Sequence, residues 1–145
     1  HPEGGYYKET YRSMHAVRSP HHKKIRNAVT DIYFLLAGKN PSRFHKVVHD
    51  EIWHYYEGDP LEIIEIAPKT LKATKIVLGR RGNKAHYKHC VKGDVWQAAY
   101  STGDYSLAGC TVAPGFDFSD FTFLKDDAKT CAVLSKKHPS LRYLI

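Results

Sequence analysis

Cysteine is scarce in this sequence, with 3 among 145 residues: Cys90, Cys110 and Cys131. Their number is odd and no two of them stand in a CxxC spacing, which excludes the dense disulfide framework of small secreted domains and a cysteine-rich zinc site. Free thiols are typical of a reducing compartment. We therefore predict a cytoplasmic protein with three ordinary, unpaired cysteines.

Long apolar runs are also missing. The longest uncharged apolar stretch covers residues 32–37, whereas a membrane-spanning helix needs roughly 20 such residues. The sequence does not open on an apolar segment with a cleavage-like end. We expect no membrane partner.

Negative charge is in the minority, because 22 Lys and Arg residues face 15 Asp and Glu residues, a formal net charge of +7. The basic residues form short runs in loop-like surroundings: residues 18–26, then Lys69, Lys72 and Lys75, then Arg80, Arg81 and Lys84, then Lys136 and Lys137. Acidic residues separate these runs, whereas a nucleic-acid interface needs basic and aromatic residues on one face. We expect no nucleic-acid partner, although the charge could favour an anionic small molecule.

What the sequence does contain is enough apolar material for one domain. A chain of 145 residues with 42% hydrophobic residues is long enough to bury a core of its own. No internal repeat or linker interrupts the sequence. We predict a single domain over residues 1–145.

Short β-type segments recur along the chain at intervals typical of a β-sandwich or barrel. Each ends at a turn signal, and together they cover residues 30–36, 44–48, 51–56, 61–66, 72–78, 87–91, 95–100, 105–112 and 116–123. From Asp126 or Asp127 to Pro139 the pattern favours a helix, and a shorter turn could cover residues 141–145. The predicted fold class is mainly β with a short C-terminal helix.

Residues 44–58, FHKVVHDEIWHYYEG, resemble the first motif of the cupin superfamily. In that motif two histidines with one residue between them precede a glutamate, and a glycine follows. Glu51 matches the glutamate and His45 stands at the first histidine, but Val47 occupies the position of the second. In the counterpart of the second cupin motif, Gln97 stands where a histidine ligand is usual.

A closer resemblance covers nearly the whole chain. Five stretches in the same order look like the cupin-like group long known only as a domain of unknown function: HPEGGYYKETYRS (1–13), TDIYFLL (30–36), FHKVVHDEIWHYYEGDPLE (44–62), VWQAA (95–99) and AGCTVAPGFDFSDF (108–121). The resemblance implies a double-stranded β-helix, or jelly roll, similar to deoxysugar epimerases such as dTDP-4-dehydrorhamnose 3,5-epimerase, and commonly a homodimer. It implies no particular reaction.

A small jelly roll encloses a pocket lined by the inward residues of its strands. Along an extended strand Glu51, Trp53 and Tyr55 share one face, and the residues between them share the other. Spacing alone leaves open which face points inward. The motif position of Glu51 implies that its own face does, with Trp53 and Tyr55 as ligand-binding aromatic walls and with His45 and Gln97 on neighbouring strands.

One interpretation takes His45, Glu51 and Gln97 as ligands of a divalent transition metal. Iron, manganese and nickel favour imidazole, and metal-binding cupins typically use three histidines and one glutamate. Here Val47 supplies no donor and Gln97 only a neutral amide oxygen, so we predict no tightly bound cofactor. His49 could add an imidazole if its loop turned inward.

The alternative follows the epimerase resemblance and needs no metal. A histidine oriented by a carboxylate removes a proton next to a carbonyl group, and a tyrosine protonates the other side or stabilises the oxyanion. His45 or His54 would be the base and Glu51 the orienting carboxylate. Tyr33 or Tyr55 would be the acid.

Two further segments border the predicted pocket. The Pro/Gly turn at residues 1–5 leads into an edge strand, where Glu3 and Tyr7 are expected beside a pocket of this chain or of a partner subunit. In residues 114–121 three phenylalanines alternate with polar residues, which favours a strand with one buried face. In this interpretation Asp117 or Asp120 accepts backbone N–H groups in the turn. The alternative is that these residues form the rim of a pocket.

The sequence therefore predicts a small-molecule-binding, cupin-like protein. Three functions stay open: a metal-independent isomerase or epimerase acting on a sugar-like or carbonyl compound, a non-catalytic binding protein, and a weak metal-dependent enzyme. The degraded metal positions favour the binding protein. The clustering of His45, Glu51 and His54 with aromatic residues favours the isomerase.

Overall fold

The computed structural model describes residues 1–80 and 85–145, so Arg81 and Lys84 of the basic runs lie outside the described residues. The strands are β1 (Tyr6–Arg12), β2 (Ala16–Arg18), β3 (Ile25–Asn27), β4 (Thr30–Ala37), β5 (Ser42–Val47), β6 (Asp50–Gly58), β7 (Leu61–Ile66), β8 (Ala73–Leu78), β9 (Lys88–Val91), β10 (Trp96–Ser101), β11 (Tyr105–Ala113) and β12 (Phe121–Phe123). One α-helix, α1 (Ala128–Lys137), and 3-10 turns at Phe118–Asp120, Leu124–Asp126 and Pro139–Leu144 complete the described elements.

Two five-stranded sheets make up the body of the fold. The first has the order β1-β4-β11-β6-β9 and the second β12-β5-β10-β7-β8, while β2 and β3 form a separate hairpin. Within both sheets adjacent strands run antiparallel. Most of these neighbours are distant in sequence, which is the connectivity of a jelly roll. The predicted fold class is confirmed.

The strand prediction is wrong for most of residues 116–123. A 3-10 turn occupies Phe118–Asp120, and only Phe121–Phe123 pair as a strand. The carboxylate of Asp117 accepts the backbone N–H of Ser119 at 2.8 Å, and such a local side-chain cap competes with extended pairing. The β2 and β3 hairpin was not predicted, because its short strands lack an apolar alternation.

Strand β7 explains how the core is divided. Leu61 and Ile63 point between the two sheets, whereas Ile64 and Ile66 point to the outer side of the second sheet. On that outer side Leu134 of α1 packs with Leu124 and Leu144 of the flanking 3-10 turns. Both faces of the second sheet are therefore buried against other elements, while the first sheet carries exposed side chains such as Tyr33 on its outer face.

The C-terminal helix follows its predicted capping signals. The Asp127 carboxylate accepts the backbone N–H of Thr130 at 3.0 Å, and α1 ends before Pro139, which cannot continue a helix interior. Within the described residues no helix is both long and apolar enough to cross a bilayer. The three cysteines are free thiols.

Candidate functional site

A cavity of about 260 Å³ lies between the two sheets near the start of β1. Strands of the first sheet, β5 of the second sheet and the turn before β12 enclose it. Its lining combines ionisable side chains with an aromatic and aliphatic wall: His1, Glu3, Tyr7, Glu9, Arg12, Thr30, Ile32, Phe34, His45, Val47, Glu51, Cys110, Val112, Phe116, Asp117, Phe118 and Phe121. Of the site residues predicted from the sequence, Glu3, Tyr7, His45 and Glu51 line this cavity.

His45 reaches the cavity from β5 with a defined tautomer. Its Nδ1 lies 2.7 Å from the carbonyl oxygen of Arg43, and because a carbonyl only accepts, Nδ1 must carry the hydrogen. The other ring nitrogen, Nε2, lies 3.4 Å from Oε2 of Glu3. The ring also stacks on Phe121, with centroids 5.0 Å apart. His45 therefore presents Nε2 as its reactive nitrogen.

Glu3 lies between two imidazole rings. Its Oε2 is 3.4 Å from Nε2 of His45 and 3.2 Å from Nδ1 of His1, and its Oε1 accepts the Ser42 hydroxyl at 2.9 Å. Burial opposes ionisation of this carboxyl, but the charge of His45 and the contacts with His1 and Ser42 outweigh burial and hold the pKa of Glu3 below its ordinary value. Glu3 is therefore the ionised carboxylate of the cavity.

Glu51, from β6, has the opposite electrostatic environment. Burial is the largest influence and raises the pKa of its carboxyl, and the nearby charge of Glu3 raises it further. The charge of His45 and hydrogen bonds from Gln97 and Cys110 act in the other direction without cancelling the increase. Glu51 thus holds its proton to a higher pH than Glu3 does.

Gln97 and Trp53 lie behind Glu51 and fix its position. The indole N–H of Trp53 donates to Oε1 of Gln97 at 2.9 Å, and Nε2 of Gln97 donates to Oε2 of Glu51 at 2.5 Å. An indole nitrogen is only a donor, so the Gln97 amide cannot be turned the other way without leaving Trp53 N–H against its NH₂ group. Gln97 acts on the cavity through Glu51.

This orientation does not fit the metal ligand set predicted from the sequence. The Gln97 oxygen points to Trp53, and the side of the amide that meets Glu51 is the NH₂ group, which cannot ligate a metal, while Val47 contributes only an apolar wall. His49 is buried on the turn after β5 and is not part of the cavity lining. The donors that remain, His45 and Glu51, are too few to hold a transition ion tightly.

The structure does not bring Tyr33 or His54 to the cavity. Tyr33 alternates with the inward Phe34 on β4, is 48% exposed and packs edge to face on Tyr56. His54 lies on the same outer face, where its Nε2 is 3.2 Å from the Thr111 hydroxyl. Alternate side chains of a strand point to opposite faces of its sheet, and both of these point to the outer face, away from a ligand between the sheets.

Tyr55 does point inward, but it belongs to the core between the sheets. It is 7% exposed, and its hydroxyl donates to the carbonyl of Gly58 at 2.5 Å. Tyr55 is not among the cavity-lining residues. Neither Tyr33 nor Tyr55 therefore stands where the predicted acid would be needed.

Sequence reasoning missed His1 and Arg12. His1 stands in the same motif as Glu3, and its ring packs against the aromatic wall, including Phe118 at 5.7 Å. Arg12 borders the cavity, but its guanidinium donates to the Glu9 carboxylate at 2.7 Å. The Glu9 carboxylate therefore offsets the charge of Arg12 at the border of the cavity.

A testable consequence concerns Trp53, whose N–H satisfies the buried Gln97 oxygen. Trp53→Phe is expected to lower the free energy of unfolding by about 1–3 kcal/mol beyond the loss from the smaller ring, because a buried acceptor loses its partner. The control is Trp96→Phe, since Trp96 is also buried and packs under the ammonium group of Lys46. Equal losses of unfolding free energy in the two variants would show that the hydrogen bond from Trp53 to Gln97 adds nothing to stability.

Known proteins share this sequence pattern along most of the chain. The family described as Cupin superfamily (DUF985) matches residues 1–124. The uncharacterized protein YML079W of Saccharomyces cerevisiae is 30% identical over 142 residues, which cover 88% of this chain and 70% of the yeast protein.

Solved structures are similar over almost the full chain. Protein SO0799 from Shewanella oneidensis has a TM-score of 0.86 and 31% sequence identity, with 99% of this chain and 88% of that chain covered. Oxalate decarboxylase from Bacillus subtilis has a TM-score of 0.63 with 93% of this chain and 32% of that chain covered. Its sequence identity is only 12%, so this likeness shows the fold alone.

Proposed function

Since this chain belongs to DUF985, a family of the cupin superfamily, we propose that its cavity binds a small carbonyl compound and moves a proton from one of its carbon atoms to another. The observation that carries the proposal is the arrangement of three ionisable side chains in one cavity: Nε2 of His45 lies 3.4 Å from the Glu3 carboxylate, and Gln97 holds Glu51 by a hydrogen bond of 2.5 Å. The opposite directions of the two carboxyl pKa shifts, lowered for Glu3 and raised for Glu51, agree with it. Titratable groups whose environments separate their pKa values are typical of acid and base roles in one site.

His45 supplies the base in this mechanism, acting in its neutral form with the hydrogen on Nδ1 and the lone pair on Nε2. Its Nε2 takes a proton from the carbon next to the carbonyl group, and the electron pair of the C–H bond forms the C=C bond of an enol. Glu3, 3.4 Å from Nε2, stabilises the imidazolium that results. This role is the orienting carboxylate that sequence analysis gave to Glu51.

Glu51 supplies the acid. Its carboxyl proton passes to the carbonyl oxygen as the enol forms. For epimerisation, the imidazolium of His45 returns its proton to the original carbon on the opposite face of the enol, and Glu51 takes back the proton from the enol oxygen as the C=O bond re-forms. For isomerisation, the original carbon must carry a hydroxyl group: the imidazolium protonates the former carbonyl carbon, and Glu51 takes the proton of that hydroxyl as it becomes the new carbonyl group. The reaction is an isomerisation or epimerisation, so atoms and electrons balance without a further reactant.

The dimensions of the cavity limit the substrate. About 260 Å³ lies below the range of roughly 300–1,000 Å³ that drug-sized ligands occupy. A compound of monosaccharide size or smaller fits between Phe116, Phe121 and the polar side chains, whereas a nucleotide-linked sugar does not fit whole. The carboxyls Glu3 and Glu51 make a neutral compound a better ligand than an anionic one.

The test is a screen of neutral aldoses, ketoses and small keto compounds by thermal shift in chelator-treated buffer. Compounds that raise the melting temperature are then incubated with the protein in D₂O, and proton NMR follows deuterium entering the carbon next to the carbonyl group. Exchange above the protein-free rate supports the isomerase. Binding without exchange would instead favour the alternative function, a non-catalytic binding protein that keeps the same cavity.

We also propose that the chain forms a homodimer through the outer face of the first sheet, an assembly that the cupin resemblance implies. Tyr33, Ile52 and Tyr56 are 48%, 36% and 45% exposed on that face, whereas α1 packs on the outer face of the second sheet. A symmetric pairing would bury the same residues of both copies.

Ile52→Glu is expected to shift sedimentation equilibrium toward monomer, because it places a charge in the proposed interface. The control Met14→Glu, at a residue that is 95% exposed and outside this sheet, is expected to have no effect. A monomeric parent protein would contradict the proposal.

A further inference from the structure

A cluster outside the cavity brings together three side chains from three separate segments. His22 lies in the loop between β2 and β3, His49 on the turn between β5 and β6, and Asp120 at the end of the 3-10 turn before β12. Nε2 of His22 is 3.0 Å from Oδ1 of Asp120, and Nδ1 of His49 is 3.7 Å from Oδ2. The three ligand atoms all lie within 4.8 Å of one another.

Two ring nitrogens in this cluster are buried without a hydrogen-bond partner among the described residues, Nε2 of His22 and Nδ1 of His49. The distance of 3.7 Å from His49 Nδ1 to the Asp120 carboxylate is too long for a hydrogen bond, and the 3.0 Å contact of His22 Nε2 does not have hydrogen-bond geometry. The His49 side chain is 0% exposed and that of Asp120 1%. Buried polar atoms are satisfied in most proteins, so these two nitrogens indicate that a third species belongs between them and the carboxylate.

The surrounding contacts are those of a metal site. Nε2 of His49 lies 2.8 Å from the hydroxyl of Ser19. When Nε2 carries the hydrogen and donates it to this hydroxyl, Nδ1 has a lone pair that can bind a metal. Arg26 donates to both oxygens of Asp120 at 2.7 Å. Outer contacts of this kind orient histidine and carboxylate ligands in metal sites, and each carboxylate oxygen keeps a further lone pair for an ion.

We propose that His22 Nε2, His49 Nδ1 and Asp120 bind a divalent zinc-class ion, with water as the fourth ligand. Zinc bonds of about 2.0–2.2 Å in tetrahedral geometry place ligand atoms roughly 3.3 Å apart, so a pair of ligand atoms separated by up to 4.8 Å must approach by up to about 1.5 Å. His22 can move by this amount, because its loop is exposed on both sides of it. Its side chain, 22% exposed, also gives the ion a path from solvent.

Binding has one local cost. The backbone N–H of Lys24 donates to Nδ1 of His22 at 3.1 Å, so Nε2 carries the hydrogen of the neutral ring. Coordination through Nε2 requires the other tautomer and breaks this bond. The freed N–H can turn to water, because Lys24 is exposed. Metal binding therefore breaks one solvent-accessible hydrogen bond and forms three bonds between the ion and the protein.

The ion would tie the β2 and β3 hairpin to the wall of the cavity. Asp120 follows Phe118, which lines the cavity, and precedes Phe121, which stacks on His45. The site is distinct from the cavity and supports the cavity from outside. Its role is structural, and it does not depend on the proposed reaction.

The experiment uses zinc chloride alone on chelator-stripped protein, with isothermal titration calorimetry and melting temperature as readouts. The parent protein is expected to bind about one zinc per chain, and zinc is expected to raise its melting temperature. His22→Ala and His49→Ala are each expected to weaken zinc binding by at least about 100-fold, because loss even of an outer contact costs roughly 10–100-fold. His22 is partly exposed, so its variant is expected to fold even where the buried His49 variant does not.

Two matched controls locate the site. His21→Ala changes the neighbouring histidine, whose ring centroid is 5.6 Å from that of His49, and His45→Ala changes the cavity histidine. Both are expected to keep parent zinc affinity. The proposal is overturned if the parent protein binds no zinc, if His22→Ala binds zinc as well as the parent does, or if His45→Ala abolishes binding.

Discussion

His45→Gln is expected to slow deuterium incorporation into a carbonyl ligand by roughly 10²- to 10⁴-fold, the contribution typical of a positioned general base. Glutamine keeps a hydrogen-bonding group near Glu3 but is not basic enough to accept a proton near neutral pH. Ligand affinity is expected to change much less, because the aromatic wall of the cavity stays intact. Proton NMR in D₂O measures the exchange, and thermal shift measures binding.

The matched control is His54→Gln, because His54 lies on the outer face of the first sheet, away from the cavity, and contacts Thr111. Exchange by this variant is expected to equal that of the parent protein. Tyr33→Phe, also on the outer face, is expected to be equally silent. If His45→Gln retained parent exchange, or if His54→Gln lost it, the assignment of the base to His45 would be wrong.

Glu3→Gln and Glu51→Gln are expected to change the pH dependence of stability in opposite directions. The pKa of Glu3 is lowered in the folded protein, so its ionisation contributes stability above the unfolded-state pKa, and this contribution is lost as pH falls through the folded pKa. Glu3→Gln is therefore expected to destabilise most at neutral pH. The difference from the parent protein should shrink in acid.

For Glu51 the sign reverses. Its folded-state pKa is raised, so the unfolded chain releases this proton first, and the folded protein loses stability as pH rises from the unfolded value to the folded value. Glu51→Gln removes that loss and is expected to gain stability relative to the parent protein between acid and neutral pH. Each unit of pKa difference corresponds to about 1.4 kcal/mol.

Denaturant unfolding of the parent protein and both variants, from about pH 3 to pH 8, checks the two signs together. The variants remove the same charge from the same cavity, so general effects of charge removal are shared between them. Parallel pH profiles for Glu3→Gln and Glu51→Gln would show that the two carboxyls do not have the opposite environments described above.

The sequence predicts the strands well where side-chain alternation and turn residues agree. The segment 61–66, where apolar and acidic residues alternate after a turn, coincides with β7, and α1 lies between the predicted start at Asp126 or Asp127 and the predicted stop at Pro139. The prediction is wrong at residues 116–123, where the hydrogen bond from Ser119 to Asp117 favours a turn over an extended strand. Alternation of phenylalanines alone does not distinguish the two.

The motif resemblance predicts some of the residues that line the cavity, but not the hydrogen bonds between them and their neighbours. It indicates His45, Glu51 and Glu3, which the structure brings to one cavity. The hydrogen bond between Trp53 and Gln97 joins residues 44 positions apart, and no local pattern reports such a contact. Parity along β4 decides that Phe34 and not its neighbour Tyr33 faces inward, and composition carries no information about that parity.

The net charge of +7 does not describe the lining of the cavity. That lining contains Glu3 and Glu51, and the guanidinium of Arg12 at its border is paired with Glu9. Charge summed over a chain reflects its exposed loops, whereas a ligand responds to the few groups within hydrogen-bonding distance. The anionic ligand expected from the net charge and the neutral ligand proposed above both stay predictions.

Carbon-13 NMR titration of the glutamate carboxyl groups tests most directly the claim that one cavity holds a proton-retaining and a proton-releasing carboxyl. Signals are assigned with Glu3→Gln and Glu51→Gln. We predict that Glu51 titrates above the ordinary glutamate value of 4.5 and Glu3 below it. Titration of both carboxyls at the ordinary value, or in the reverse order, would contradict the account.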